Sequence, residues 1–161
     1  MERTEPITEE NLKLVVLVNK RLPSGVTMNA LAHAVAGLVN LIGEQGRSGL
    51  NFLSFSDKDG QVYPSVSARS FIVLRGTDGD IRKLRRAATE AGFPTVCFHD
   101  AMTGDTYVEQ LERSKTTNTS ELTYYAVAVF GRANLLAPLT RRYSIWRSDS
   151  DHEAPGGPGA L

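Results

Sequence analysis

The residues best suited to chemistry in this chain are a histidine, an aspartate and a lysine: His33, Asp100 and Lys20. An imidazole with a reference pKa of about 6.5 can give or take a proton near neutral pH. A carboxylate can orient or deprotonate a nucleophile, and an ammonium group can neutralise a phosphate or stabilise an oxyanion. We therefore predict these three residues as the catalytic candidates.

Each of the three also has an ordinary structural interpretation. A lone histidine among alanines, such as His33, is often a satisfied core residue. Asp100 could instead cap the turn that leads to Thr103, because aspartate side chains accept hydrogen bonds from nearby backbone N–H groups. An exposed lysine beside an arginine, as Lys20 is, is ordinarily only solvated. The sequence leaves these alternatives open.

A second set of polar residues is predicted to contact a substrate. Asn29 lies four residues before His33, so both side chains can face one side of a helix near its N-terminal half. The serine hydroxyls flanking Val66 could reach a ligand or simply form a turn. The predicted substrate-binding residues are Asn19, Asn29, Ser65, Ser67 and Thr103.

An apolar strand and the helix after it must position most of these groups. Residues 12–19 form a β-branched apolar run, typical of a strand buried on both faces. After a Pro-Ser-Gly loop at 23–25, Thr27 is placed to cap a helix over 27–44. Further along, the pattern predicts an apolar segment at 51–55, a turn at 57–60, strands at 70–75, 95–99, 123–130 and 143–147, and helices at 80–91, 105–115 and 133–139.

Strands that alternate with helices favour an α/β fold. We predict a three-layer α/β/α sandwich around a mixed, mostly parallel sheet of four or five strands. Ligands of such sheets bind outside the carboxyl ends of the strands. Those ends are Asn19-Lys20-Arg21, Arg75-Gly76, His99-Asp100 and Phe130-Gly131.

Length and composition indicate one domain. The chain has 161 residues, of which 41% are hydrophobic, enough for one core and too few for two ordinary ones. We predict a flexible N-terminus at 1–10, a single α/β domain at 11–147 and a disordered tail at 148–161. Cys97, the single cysteine, lies in an apolar run and fits a reducing compartment. No signal core or membrane-length apolar stretch is evident, so we expect a cytoplasmic protein without a membrane partner.

Charge argues against a general nucleic-acid binder, because 18 basic and 18 acidic residues give a net charge of +0. Two basic clusters stand out locally, and each is either a solvated face or a phosphate contact. The clusters are Arg82, Lys83, Arg85 and Arg86, and then Arg132, Arg141, Arg142 and Arg147. Neither metal-ligand spacing nor a phosphate-loop or dinucleotide fingerprint occurs, so no metal and no cofactor is expected.

Aromatic residues late in the chain raise the question of self-association. Tyr124, Tyr125, Tyr143 and Trp146 would suit a homodimer interface if they are exposed near the sheet edge. Core packing explains them equally well.

Several motifs resemble a known group of proteins. Val18-Asn19-Lys20-Arg21-Leu22, a Gly loop and Ala32-His33-Ala34 are similar to the opening of the type 2 peptidyl-tRNA hydrolases. Ala126-Val127-Ala128-Val129-Phe130-Gly131 resembles their last core strand. A closer resemblance, in Pro64-Ser65-Val66-Ser67-Ala68 and Phe130-Gly131, is to the domain-of-unknown-function 2000 family, a bacterial relative of those hydrolases, over about residues 12 to 147.

The resemblance carries over only some of the hydrolase residues. Their Gly-Lys-Gly-Lys loop corresponds here to Gly25-Val26-Thr27, which is shorter and has no lysine. Their helix glutamine aligns with Ala30, next to Asn29, and their helix histidine matches His33. Their aspartate matches Asp100 in His99-Asp100-Ala101, and the threonine that follows it corresponds to Thr103 or Thr106.

Two functions follow as expectations. The resemblance implies an enzyme that hydrolyses or transfers the acyl group of an aminoacyl- or peptidyl-tRNA, with tRNA as its partner. In that reaction Asp100 or His33 would act on the nucleophile, Lys20 and backbone donors would stabilise the oxyanion, and the arginine clusters would hold phosphates. The alternative is a protein that binds a small molecule, or a tailoring enzyme, on the same scaffold.

Overall fold

The computed structural model describes residues 11–148 as one mixed α/β unit with a five-stranded sheet, a separate two-stranded hairpin and four α-helices within that range. The predicted flexible segment 1–10 and nearly all of the predicted tail lie outside the described residues. The elements in chain order are β1 (Leu12–Asn19), α1 (Ser24–Arg47), β2 (Phe52–Ser56), β3 (Val62–Ser67), β4 (Phe71–Gly76), α2 (Asp78–Glu90), β5 (Thr95–His99), α3 (Tyr107–Thr116), β6 (Tyr124–Arg132), α4 (Ala133–Thr140) and β7 (Ser144–Ile145).

The main sheet has the order β5-β6-β1-β4-β7. Strands β1, β4 and β5 run in one direction, but only β1 and β4 are paired in parallel, because antiparallel β6 separates β5 from β1 and β7 is antiparallel to β4. The prediction of a mixed sheet is confirmed. The prediction of mostly parallel pairing is wrong. Strand β6 inserts antiparallel between β5 and β1, and β7 is added antiparallel beside β4.

The centre of the sheet is buried on both faces, as the apolar run of β1 predicts. Val16, Leu17 and Val18 are fully buried. On one face α1 contributes Ala30, Ala34 and Leu38 to the core. On the other face, the core contains Ile81, Leu84 and Ala88 of α2 and Leu136 of α4. Successive residues of β1 therefore serve two separate cores, which is why nearly every one is apolar.

Helix α1 differs from its prediction at both ends. It begins at Ser24, with Pro23 as N-cap residue and no side-chain cap; Thr27 is instead buried in the first turn, and its hydroxyl has no partner within residues 11–148. Near the other end, Gly43 has φ +63° and interrupts the helix before the last turn. The predicted cap was wrong because the proline at position 23 starts the helix three residues earlier.

Segment Ser24–Leu50 is also long and apolar enough to cross a membrane, contrary to the expectation from the sequence. A core helix passes the same test of length and composition. Ala30, Ala34 and Leu38 are buried against the sheet, so α1 packs on the core along one face.

The hairpin β2–β3 is the main element that the sequence did not reveal. Only the segment 51–55 and the turn were predicted, and the turn is confirmed: Gly60 has φ +83°, and Asp57 Oδ1 accepts hydrogen bonds from the N–H groups of Asp59 and Gln61, both at 3.0 Å. All residues of both strands are exposed. Without a buried face, β3 has no alternating pattern by which it could be recognised.

The late aromatic residues do not form an exposed patch. Tyr124 is buried, and Tyr125, Tyr143 and Trp146 are half-buried against the two cores. Of the two interpretations of these side chains, core packing is therefore the one that the structure supports.

The start of β6 is held by side chains from three other elements. The amide Nδ2 of Asn19 donates to the Tyr124 carbonyl oxygen at 3.1 Å, and Asp78 Oδ1 accepts from the Tyr124 N–H at 2.6 Å. Asp100 exchanges two hydrogen bonds with the backbone of Thr123, at 3.0 and 3.1 Å. Arg82 donates to the carbonyl oxygen of Leu122. We call these contacts the β6 anchor.

We predict that Asn19→Ala lowers the free energy of unfolding by about 1–3 kcal/mol, because the buried Tyr124 carbonyl loses its donor. Urea unfolding at neutral pH measures the change. Asn40→Ala, at an exposed position of α1, is the matched control and should leave stability unchanged or slightly higher. Equal free energies of unfolding for the two variants would contradict the stabilising role of Asn19 in the β6 anchor.

A second prediction concerns the N-terminus of α2. Asp80 Oδ2 accepts hydrogen bonds from the N–H and the hydroxyl of Thr77, each at 2.9 Å, and the Thr77 N–H bond is the largest cause that lowers the pKa of Asp80 below 3.8. A carboxyl whose pKa is lower in the folded state stabilises the fold above its unfolded-state pKa and loses this effect as the pH falls through the folded-state pKa. Asp80→Asn should therefore lower the Tm at pH 7, and the deficit should shrink below about pH 4.

Thermal unfolding between pH 3 and pH 7 tests this expectation. Asp59→Asn, in the exposed hairpin turn, serves as the control for loss of a carboxylate that caps no helix. A deficit for Asp80→Asn that stays constant down to pH 3 would disprove the contribution of the capping carboxylate.

Candidate functional site

The carboxyl ends of β1 and β4 form a crevice. The chain leaves β1 towards α1 on one face of the sheet and leaves β4 towards α2 on the other face. Connections that diverge in this way open the crevice in which α/β sheets bind ligands. A cavity of about 370 Å³ lies there, and we call it the carboxyl-edge cavity. Its lining residues are Lys20, Arg75, Gly76, Asp80, Arg142, Tyr143 and Ser144.

This cavity is rich in positive charge. Lys20 is exposed, Arg75 is half-buried, and neither makes an ion pair within residues 11–148. Arg142 donates to the Tyr143 hydroxyl at 2.6 Å and lies 4.8 Å from the centre of that ring. Asp80 is the lining carboxylate, and it is already engaged by Thr77. Three cations thus face one occupied carboxylate, an arrangement that suits an anionic ligand.

The two helices that start at this edge differ in their free N–H groups. The first turn of α2 is closed by the Thr77–Asp80 capping box. The first turn of α1 has no side-chain cap, so the N–H groups of residues 24–26 remain available to an anion. Lys20 lies four residues before this helix start, which places one cation in the loop that leads to the free donors.

Asp100 lies at the end of β5. Its Oδ1 accepts from the N–H groups of Ala101 at 2.9 Å and Thr123 at 3.1 Å, so the predicted turn-capping role is present. Its Oδ2 has no protein partner within the part of the chain that the structure describes. Thr103 donates its hydroxyl to the Asp100 carbonyl oxygen at 2.6 Å. Asp100 is therefore fixed by one carboxylate oxygen and presents the other.

His33 lies beside the same strand end, on the α1 side of the sheet. Its ring stacks on Phe98 with centroids 5.1 Å apart and an angle of 9° between the planes. His33 and Asn29 are both exposed, so the core interpretation of His33 is wrong. His33 therefore lies against Phe98, which precedes Asp100 by two residues in the chain.

The remaining predicted binding residues lie elsewhere or are already engaged. Asn19 is buried; its amide donates to Tyr124, and its Oδ1 accepts from the Arg21 N–H at 3.0 Å. Ser67 donates to the Leu50 carbonyl oxygen at 2.6 Å, and Ser65 lies 3.4 Å from the Ser54 hydroxyl. Both serines belong to β3, which leads into the amino end of β4, opposite to the edge that carries Lys20.

Sequence reasoning missed a second cavity on the exposed side of α2. Its volume is about 450 Å³, and we call it the α2 groove. It is lined by Arg82, Lys83, Arg85, Arg86, Thr89, Glu90, Thr119 and Tyr124. The basic cluster was visible in the sequence, but its contact with residues 119–124 depends on tertiary packing.

Two titratable residues lie beneath the α2 groove. His99 is buried edge-on against Tyr124 with ring centroids 5.9 Å apart, and desolvation lowers the pKa of His99. Its Nδ1 has no partner within residues 11–148. Burial raises the pKa of the half-buried Cys97 thiol, partly offset by nearby Arg85. Across residues 11–148, no group of three or more His, Cys, Asp and Glu side chains is placed to hold a metal ion.

Comparison with solved structures finds the same fold in a protein of unknown function from Agrobacterium tumefaciens. The two chains share 17% sequence identity with a TM-score of 0.70, and the similarity covers 85% of this chain and 98% of the other. No curated protein matches the sequence significantly. The family described as "Protein of unknown function (DUF2000)" matches residues 12–147, nearly the whole described unit. The chain therefore belongs to the DUF2000 family.

Proposed function

We propose that the protein acts on the acyl ester of an aminoacyl- or peptidyl-tRNA, hydrolysing it or transferring the acyl group to an amine. The observation that carries the proposal is that three different groups lie at the same edge of the sheet, where β1, β4 and β5 end. These groups are the uncapped start of α1, the cations of the carboxyl-edge cavity and the half-engaged carboxylate of Asp100.

The cations suit the substrate's phosphates. Lys20, Arg75 and Arg142 would contact phosphates near the 3′ end of the tRNA, because charge-assisted hydrogen bonds to phosphate are strong. The free N–H groups of residues 24–26 would stabilise the oxyanion that forms when the ester carbonyl is attacked. In this proposal, backbone donors and Lys20 replace the lysines of the hydrolase loop.

Asp100 and His33 would handle the nucleophile. The free Oδ2 of Asp100 accepts a proton or hydrogen bond from water or an amine, while Oδ1 keeps the carboxylate in place. The nucleophile adds to the ester carbonyl carbon, and the bond to the ribose oxygen then breaks. That oxygen takes up a proton, giving tRNA with a free hydroxyl and either a carboxylic acid or an amide.

The arrangement of helices also supports this proposal. With α1 on one face and α2 and α4 on the other, we infer the three-layer sandwich of the type 2 peptidyl-tRNA hydrolases. A protein with this substrate would work in the cytoplasm.

A small-molecule ligand is the second candidate. The carboxyl-edge cavity, at about 370 Å³, falls within the range of small-molecule pockets. Its occupant would be a small anion, and its binding would depend far less on salt than the binding of tRNA does.

We predict that Asp100→Asn lowers the rate of acyl release by at least about 100-fold, because it removes the carboxylate that acts on the nucleophile. The amide oxygen of asparagine can still accept the two backbone hydrogen bonds, so the fold should survive. Release of the acyl group from a mixed pool of aminoacyl- and peptidyl-tRNA, with and without a small amine, measures the effect.

Asp105→Asn provides the matched control. Asp105 is exposed and pairs with Arg113, and its φ of +54° is one that asparagine tolerates. This variant should keep wild-type rates. Amine-dependent release would identify transfer, and amine-independent release would identify hydrolysis. A folded wild type that releases no acyl group in either condition would refute the enzymatic proposal.

A further inference from the structure

The α2 groove does not stand alone. A third cavity, of about 370 Å³, lies between α2 and α4, and it shares Lys83, Arg86 and Glu90 with the α2 groove. This third cavity shares Arg142 and Tyr143 with the carboxyl-edge cavity. The three cavities therefore follow one another around α2 and end at the carboxyl-edge cavity.

Positive charge runs along this whole path. Seven lysine and arginine side chains line the three cavities, against two carboxylates, Asp80 and Glu90. Asp80 is engaged in the capping box. Because the whole chain is neutral, this concentration on one surface is a local property that the net charge hides.

Part of this charge is held in a fixed position. Arg82 pairs with Asp78 at 2.8 Å, donates to the Thr119 carbonyl oxygen at 2.9 Å and lies 4.8 Å from the Tyr124 ring centre. Arg85 lies 5.8 Å from the same ring. Lys83 and Arg86 are exposed and make no ion pair within residues 11–148. Arg82 and Arg85 are therefore preorganised, whereas Lys83 and Arg86 are available to an incoming anion.

We propose that the path around α2 binds the sugar-phosphate backbone of an RNA, leading it from the α2 groove to the carboxyl-edge cavity. This inference rests on the proposed function, since it names the route by which tRNA reaches the site. A single small phosphate compound would fill one cavity, whereas a series of three suits a chain of phosphates. An anionic membrane surface would need exposed apolar side chains among the cations, and α2 has no large exposed hydrophobic residue.

Salt-dependent binding of deacylated tRNA tests the inference without any acyl chemistry. We expect the double variant Lys83→Gln, Arg86→Gln to bind more weakly. The slope of log K against log salt should become shallower by about two, one for each lost phosphate contact. Fluorescence anisotropy of labelled tRNA from 50 to 300 mM salt measures both quantities; circular dichroism checks that each variant is folded.

A charge-matched control distinguishes binding along this path from general electrostatic attraction between tRNA and the protein. Arg47→Gln, Lys58→Gln removes the same charge at two exposed positions outside the three cavities, and it should keep the wild-type slope. Equal slopes for both double variants would overturn the route. Binding of tripolyphosphate in the α2 groove that excess tRNA fails to displace would also overturn the route, since the groove would then hold only a small anion.

The outcomes for the route and for the reaction are distinguishable. A reduced slope in the groove variant, together with no acyl release by wild type, supports the route and refutes the proposed chemistry. Acyl release by wild type with an unchanged slope in the groove variant refutes the route and keeps the chemistry. Absence of deacylated-tRNA binding by wild type refutes the route, and the acyl-release assay then decides the chemistry separately.

Discussion

The β6 anchor is the constraint on which the rest of the structure depends. Strand β6 lies between β1 and β5 and contributes to both cores, so its register decides whether either core can form. A shift of one residue would exchange the side chains of its two faces. Asn19, Asp78, Arg82 and Asp100 together fix the backbone of residues 122–124 where the strand begins. Polar groups at the rim therefore determine how the apolar centre is aligned.

The same anchor links structure to the proposed chemistry. Asp100 belongs to the anchor through Oδ1 and is a candidate for substrate contact through Oδ2. Arg82 belongs to it through Leu122 and also lines the α2 groove. A residue that is both structural and functional is already oriented before a ligand arrives, which reduces the entropy lost on binding. The two candidate surfaces are thus attached to one rigid backbone segment.

Local patterns in the sequence were sufficient for much of the fold. The apolar run of β1 predicted a strand buried on both faces, and the helix predicted over 80–91 matches α2, which ends at Glu90. Strand β3 could not be predicted, because Pro64 and its serines lie on an exposed hairpin that has no buried face to impose a pattern. The order of the strands could not be predicted either, because no local sequence pattern indicates that β6 inserts between β1 and β5.

The candidate site was predictable only in part. Strand ends indicated Lys20 and Asp100 correctly as residues of the carboxyl edge, because that location follows from chain direction. The structural role of Asn19 was not visible, because its partner Tyr124 lies 105 residues away in the sequence. The same distance has a consequence for synthesis of the protein. While the ribosome is still making the second half of the chain, β1 has an open hydrogen-bonding edge, and the nascent domain cannot close its sheet until β6 has emerged.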